Sequence, residues 1–137
     1  MMRVAALDVG EARIGVAVSD ELGISAQPVG VVRRVGGRRD LDALATMLAP
    51  YAPERLVVGL PLRLSGAEGP EAERVRAFAA SAAAHLGIPL EFWDERLTTV
   101  AAERALLEAD VSRARRRQVV DKVAAALILQ GWLARRS

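Results

Sequence analysis

The run Arg3-Val4-Ala5-Ala6-Leu7-Asp8-Val9-Gly10 constrains this chain more than any other feature. Its apolar residues read as a buried strand, and strands are depleted in Asp. A buried carboxylate is costly unless a metal ion, a hydrogen-bonded turn or a bound ligand compensates it. Whatever fold the chain adopts has to bring a compensating group to Asp8, so this position ties architecture to chemistry.

The chain has 137 residues, enough for one domain with a real core and too few for two, so a single domain over 1–137 is expected. Hydrophobic residues make up 52% of it, which excludes a disordered chain. Net charge is only +2, and Lys122 is the only lysine. The bases are therefore arginines, grouped as Arg33, Arg34, Arg38 and Arg39 and as Arg113, Arg115, Arg116 and Arg117. Arginine suits bidentate phosphate contacts, although a solvated surface would also carry such runs.

Cysteine is absent, which excludes disulfides and cysteine-based zinc sites. His85 is the single histidine and lies in an Ala-rich helical stretch, which argues against a Ser-His-Asp triad. No signal peptide is visible and no apolar run is long enough to span a bilayer. A soluble cytoplasmic protein with no membrane partner is expected.

Residues 3–9 predict a first strand and 14–19 a second, joined by Gly10-Glu-Ala-Arg-Ile-Gly15 as a hairpin with a longer loop. Residues 27–35 predict a third. A helix is expected over 40–48, with Leu41, Leu44, Ala45 and Leu48 on one face and Pro50 and Pro53 to stop it. A buried strand over 56–60, a helix over 71–86 ended by Gly87 and a strand over 88–93 follow. Two more helices are expected over 99–109 and 115–133. The order β-β-β-α-β-α-β-α-α implies an α/β fold: a mixed five-stranded sheet of three antiparallel strands followed by parallel βα units, with helices on both faces.

Two further acidic positions stand out. Asp94-Glu95-Arg96 follows a strand, and because strand side chains alternate, Asp94 and Glu95 should point to opposite faces. Either acid could face a site while the other faces solvent or complements a helix N-terminus. Asp121 lies beside the helical stripe of Val120, Val123, Ala124, Leu127, Ile128 and Gly131. An acid there needs a partner, either a functional one or an ion pair such as Arg117 four residues earlier. If the acids from the first strand, the later strand and the last helix converge at one sheet edge, their hard oxygen donors suit Mg²⁺ or Mn²⁺. Such ions can position a water and stabilise the leaving oxygen of a phosphodiester, while nearby arginines hold the polyanion.

Four blocks then carry a resemblance. Ala6-Leu-Asp-Val-Gly-Glu-Ala-Arg-Ile-Gly-Val-Ala-Val-Ser-Asp20, Val57-Val-Gly-Leu-Pro-Leu-Arg-Leu-Ser-Gly66, Asp94-Glu-Arg-Leu-Thr-Thr99 and Asp121-Lys-Val-Ala-Ala-Ala-Leu-Ile-Leu-Gln130 occur in order over nearly the whole chain. Together they resemble the motifs of the YqgF/RuvX family, Holliday junction resolvase-like proteins of the RNase H-like fold that are also described as pre-16S rRNA nucleases. The resemblance implies that Asp8, Glu95 and Asp121 form a catalytic acidic metal site for Mg²⁺ or Mn²⁺, with Asp94 the neighbour that could stand in for Glu95. It implies phosphate contacts by Arg13 and Arg96. Two departures fall in the loops: Ala12 stands where the family usually has Lys, and Arg63 where it usually has Asn. Arg63 could add a phosphate contact, and the run Arg113, Arg115, Arg116 and Arg117 is expected to line the nucleic-acid path.

The resemblance thus implies a metal-dependent endonuclease that processes the precursor of small-subunit rRNA in ribosome biogenesis. Two alternatives stay open: a resolvase acting on branched DNA four-way junctions, and a non-catalytic RNA-binding assembly factor with structural acids. Symmetric junction cuts would favour a homodimer over a monomer. An actin-like ATPase reading of the first block fails because 137 residues leave no room for its two large domains. Gly10 and Gly15 have the wrong spacing for a dinucleotide fingerprint.

Overall fold

The computed structural model describes residues 2–97 and 113–136, with the side chains of the last helix from Asp121 onward. Its elements are β1 (Val4–Val9), β2 (Arg13–Ser19), β3 (Ala26–Arg33), α1 (Arg38–Leu48), β4 (Arg55–Leu60), α2 (Pro70–Leu86), β5 (Leu90–Asp94), a 3₁₀ turn (Glu95–Leu97) and α3 (Arg113–Arg136). The helix predicted over 99–109 lies outside the described residues. The strands form one sheet in the order β3-β2-β1-β4-β5. β1, β2 and β3 pair antiparallel, and β4 joins β1 and β5 in parallel. This is the mixed sheet expected from the element order.

Local chemistry sets the element ends. The β1–β2 turn closes through the Gly10 N–H donating to the Arg13 carbonyl at 2.8 Å. Arg34 braces it from β3's end, its main-chain N–H on the Ala12 carbonyl and its Nη1 on the Gly10 carbonyl, both at 2.8 Å. Helix α2 ends where Gly87 adopts a left-handed φ of 69° and donates to the Ala83 carbonyl. That cap also takes the Ile88 N–H, which bonds the Ala83 carbonyl at 3.2 Å. β5 therefore starts at Leu90 rather than at Ile88: the helix terminus claims the residue that periodicity alone assigns to the strand.

Strand alternation sorts the core into two layers. Ala5, Leu7, Ile14, Val16, Val18, Leu56, Val58 and Leu60 face α1 and α2, meeting Leu44, Leu48, Val75 and Ala79. Val4, Ala6, Ala17, Val57 and Trp93 face α3, meeting Ala124, Ala125, Ile128, Leu129 and Trp132. The buried residues of α3 are Ala124, Ala125, Ile128, Leu129 and Trp132; of the expected stripe Ala124 and Ile128 are buried, whereas Val123 and Leu127 are only partly covered. Asp121, partly covered, stands three, four and seven residues ahead of Ala124, Ala125 and Ile128, on the ridge that leads into them. At the other end of α3 the Trp132 indole N–H donates to Glu91 on β5 at 2.9 Å, and Arg136 reaches the same carboxylate at 2.8 Å.

Candidate active site

The α3 face of the sheet carries a row of three residues across three neighbouring strands: Gly15, Asp8 and Gly59. Asp8 is in register with Gly15 on β2. On its other side it lies one step beyond the Leu7–Val58 pair, beside Gly59 on β4. Adjacent strands are about 4.8 Å apart, so the row spans little more than two strand spacings. Asp8 itself is buried, with 7% of its surface exposed.

Each glycine leaves room for the residue that brings another acid. A Cβ on Gly15 would collide with the main-chain carbonyl of Asp121, so α3 touches the sheet backbone at that point. A Cβ on Gly59 would come within 2.8 Å of Glu95 Oε1 and 2.5 Å of Ile128 Cδ1. The Glu95 carboxylate therefore lies over Gly59, on one side of Asp8, and Asp121 enters over Gly15, on the other. Glycine inside a strand often marks a close approach of this kind. From sequence alone Gly15 stands where the turn enters the second strand, and Gly59 has no assigned role. Their placement inside otherwise apolar strands was the available signal.

Alternation also separates the neighbouring acids at the end of β5. Asp94 pairs in register with Leu60, whose side chain faces α1 and α2, so Asp94 points away from α3. There it is clasped by Arg96, whose Nη2 donates to Asp94 Oδ2 at 2.7 Å and whose main-chain N–H donates to Oδ1 at 2.9 Å. The Arg96 guanidinium hydrogen bonds hold the Asp94 carboxyl below the usual carboxylate range, against the opposing effect of burial. Arg96 also donates to the Leu64 carbonyl at 3.2 Å and lies against Gly66, pinning the loop after β4 to the end of β5. Arg63, in that loop, is exposed and lies over Gly69, with no described carboxylate pairing with it.

Asp121 has a described partner outside its own helix, and whether Arg117 also reaches it lies outside the described residues. Arg13 of β2 donates through Nε to Asp121 Oδ2 at 2.7 Å, across 108 positions of sequence. Both side chains are largely covered, at 28% and 20% exposure. The side chains of Arg113, Arg115, Arg116 and Arg117 lie outside the described residues. Among the described residues no three acidic or imidazole groups form a ready cage for a metal ion. The donors that do gather are carboxylate oxygens, a chemistry that fits Mg²⁺ or Mn²⁺. Mg²⁺ in particular is ordinarily held by one or two carboxylates together with waters and substrate phosphates.

Known proteins share this architecture. RuvC of T. thermophilus in complex with Holliday junction substrate aligns over 100% of this chain and 98% of its own, with a TM-score of 0.58 at 17% identity. A second Thermus thermophilus RuvC structure gives 0.55 at 18% identity. The fold is thus that of the RuvC-like, RNase H-like α/β proteins. The sequence narrows this further: the family model described as "RuvX: Holliday junction resolvase" matches residues 2–135. Relatives named "Putative pre-16S rRNA nuclease" are 58% identical in Symbiobacterium thermophilum, over 96% of this chain and 92% of theirs, and 58% identical in Myxococcus xanthus, over 96% and 87%. The chain belongs to the RuvX family of resolvase-like nucleases.

Proposed function

We propose that this chain is a divalent-metal-dependent endonuclease that processes the precursor of 16S rRNA, with Asp8, Glu95 and Asp121 as its acidic centre. The observation that carries the reading is the Gly15–Asp8–Gly59 row. It brings two other acids, one from the end of β5 and one from α3, to either side of a buried aspartate. Such a centre would take Mg²⁺ or Mn²⁺, which when bound supplies charge neutralisation at the phosphodiester and activates water for in-line attack.

The residues of the chain divide the remaining work. Asp8, fixed in the middle of the sheet, is the rigid ligand. Glu95 and Asp121 approach it from a turn and a helix, so their carboxylates can adjust around it. Arg63, exposed on the loop that Arg96 holds in place, offers a phosphate contact near the start of α2, and Arg13 offers another from β2. The arginines at 113, 115, 116 and 117 precede Asp121 on the same helix and extend the basic path. In this reading the protein acts in the cytoplasm as a single domain, as a monomer or a homodimer. No helix among its described residues is long and apolar enough to cross a membrane.

The test is Mg²⁺-dependent cleavage by wild type and Asp8→Asn, with a 16S rRNA precursor and a DNA four-way junction side by side. The expected result is cleavage of the precursor by the wild type and none by the variant. Undiminished cleavage by Asp8→Asn would sink the assignment of the site. Preference for the junction would move the substrate to branched DNA, the activity that the family description prints.

A further inference from the structure

The Arg13–Asp121 pair uses only part of each side chain. Arg13 engages the carboxylate through Nε alone, and Asp121 receives that bond on Oδ2 alone. Among the described residues neither the two Nη groups of Arg13 nor Oδ1 of Asp121 has another hydrogen-bond partner. Among the described residues the four N–H donors of the Nη groups are thus left for an anion, and Asp121 Oδ1 for a cation. The backbone beneath is not free to follow. The Arg13 carbonyl holds the Gly10 N–H, the Ala12 carbonyl holds the Arg34 N–H, and Gly15 lies against the Asp121 main chain. Any change in the pair has to come from rotation of the two side chains over a fixed backbone.

From this geometry we infer that Arg13 couples metal binding at Asp121 to the arrival of a nucleic-acid phosphate, an inference that rests on the metal-site reading above. Without nucleic acid the guanidinium neutralises Asp121 and its positive charge opposes a divalent cation a few ångströms away. A phosphate oxygen competes for the same guanidinium through its open Nη groups, and Arg suits phosphate in this bidentate manner. Once the phosphate takes up the charge of Arg13, Asp121 is released toward the ion. By linkage the coupling is reciprocal: metal bound at Asp121 frees Arg13 for phosphate, so each ligand strengthens the other. Arg13 is on this account a positioning residue that keeps the acidic centre incomplete until a substrate phosphate is present.

The experiment is Mn²⁺ titration by calorimetry of wild type, Arg13→Gln and the double variant Arg13→Gln/Asp121→Asn. Each is measured alone and with a short phosphorothioate oligonucleotide, which keeps the backbone charge and resists cleavage. Alone, Arg13→Gln should bind Mn²⁺ at least about 5-fold more tightly than wild type, the lower end of ordinary coupling between sites. The gain should vanish in the double variant. The oligonucleotide should tighten Mn²⁺ binding by wild type more than by Arg13→Gln. A purely structural role for Arg13 predicts the reverse, because loosening Asp121 would weaken the metal site. Equal or weaker Mn²⁺ binding by Arg13→Gln overturns the coupling while leaving the metal site standing. Absence of Mn²⁺ binding by every protein, with and without oligonucleotide, overturns the metal reading itself. If Arg13→Gln does not fold, Arg13→Lys serves, because a compact ammonium lacks the fork that spans carboxylate and phosphate. It should keep the weak metal affinity of the wild type and lose the oligonucleotide-induced tightening; tightening as large as in wild type counts against the proposal.

Discussion

The two faces of the sheet are packed by opposite means. Toward α1 and α2 the strands present Leu7, Ile14, Val16, Val18, Leu56, Val58 and Leu60, large aliphatic side chains that fill an apolar layer. Toward α3 the same strands present Ala6, Gly15, Ala17 and Gly59 beside Val4, Val57 and Trp93, and the helix answers with Ala124 and Ala125 beside Ile128, Leu129 and Trp132. Small residues let α3 descend until its main chain meets Gly15. The first face maximises buried apolar area, and each fully buried aliphatic side chain there contributes about 1.5–3 kcal/mol. The second gives up part of that area, and the space it leaves is where Asp8, Glu95 and Asp121 assemble. On the proposed reading the chemistry belongs to the α3 side of the sheet alone.

The sharpest way to break this contrast is Gly15→Val. Its side chain would enter space held by the Asp121 carbonyl, a main-chain atom that cannot rotate aside. Overpacking of this kind costs about 1–3 kcal/mol or more. Metal affinity and cleavage should be lost with the displacement of α3, and wild-type Mn²⁺ affinity in a folded Gly15→Val protein would show that the close approach is dispensable. On the other face Leu44→Ala should lower stability by about 2–5 kcal/mol, as buried leucine truncations do. Leu44 is fully buried in the α1 layer, and in the folded fraction the rate of cleavage should hold. A fall in rate at temperatures well below unfolding would mean that the two faces are not separable.

Gly59→Ala is milder than Gly15→Val. The atoms in its way are side-chain ends, Ile128 Cδ1 and Glu95 Oε1, which can yield. The expected outcome is a loss of about 1 kcal/mol in stability with roughly tenfold weaker Mn²⁺ binding, measured by denaturant melts and calorimetry. Weaker stability with unchanged metal affinity would take Glu95 out of the centre.

Much of this was readable in advance, and the limits have a physical cause. The order of elements, the mixed sheet and the opposite orientation of Asp94 and Glu95 all follow from local periodicity, which the backbone obeys residue by residue. Periodicity does not reveal contacts across the sheet. It offers Arg117, one helical turn away, as a partner for Asp121, but it cannot point to Arg13, which the structure brings from a strand 108 positions earlier. It likewise gave no reason to connect Gly15 and Gly59, because their role appears only when β2, β1 and β4 lie side by side. The stripe of α3 is recovered in part, at Ala124 and Ile128; Ala125, weak on any hydrophobicity count, is buried where Val123 and Leu127 are only partly covered.

The smallest expected effect lies at the far end of α3. Burial is the largest single influence on Glu91 and works against its charge, but hydrogen bonds from Trp132 and Arg136 and the nearby charges of Arg136 and Arg55 together hold its carboxyl below the usual range. A carboxylate whose folded pKa is depressed stabilises the fold above its unfolded pKa, about 4.3 for Glu, and this contribution is lost as pH falls through the lower folded value. Glu91→Gln keeps an acceptor for Trp132 and removes the charge. Its stability should differ from wild type by about 1 kcal/mol or less at neutral pH, and the gap should close below about pH 4. A gap that widens on acidification would reverse the sign of this linkage.

The central claim is that Asp8 is buried because it is the fixed ligand between two adjustable ones, and Mn²⁺ titration of Asp8→Asn by calorimetry tests it most directly. Asn keeps the size and hydrogen-bonding capacity of the side chain while removing its charge, so the fold should persist. The account predicts Mn²⁺ binding by the wild type and loss of most of that affinity, by roughly tenfold or more, in the variant; a tenfold loss corresponds to about 1.4 kcal/mol. Equal Mn²⁺ affinity in the two folded proteins would contradict it.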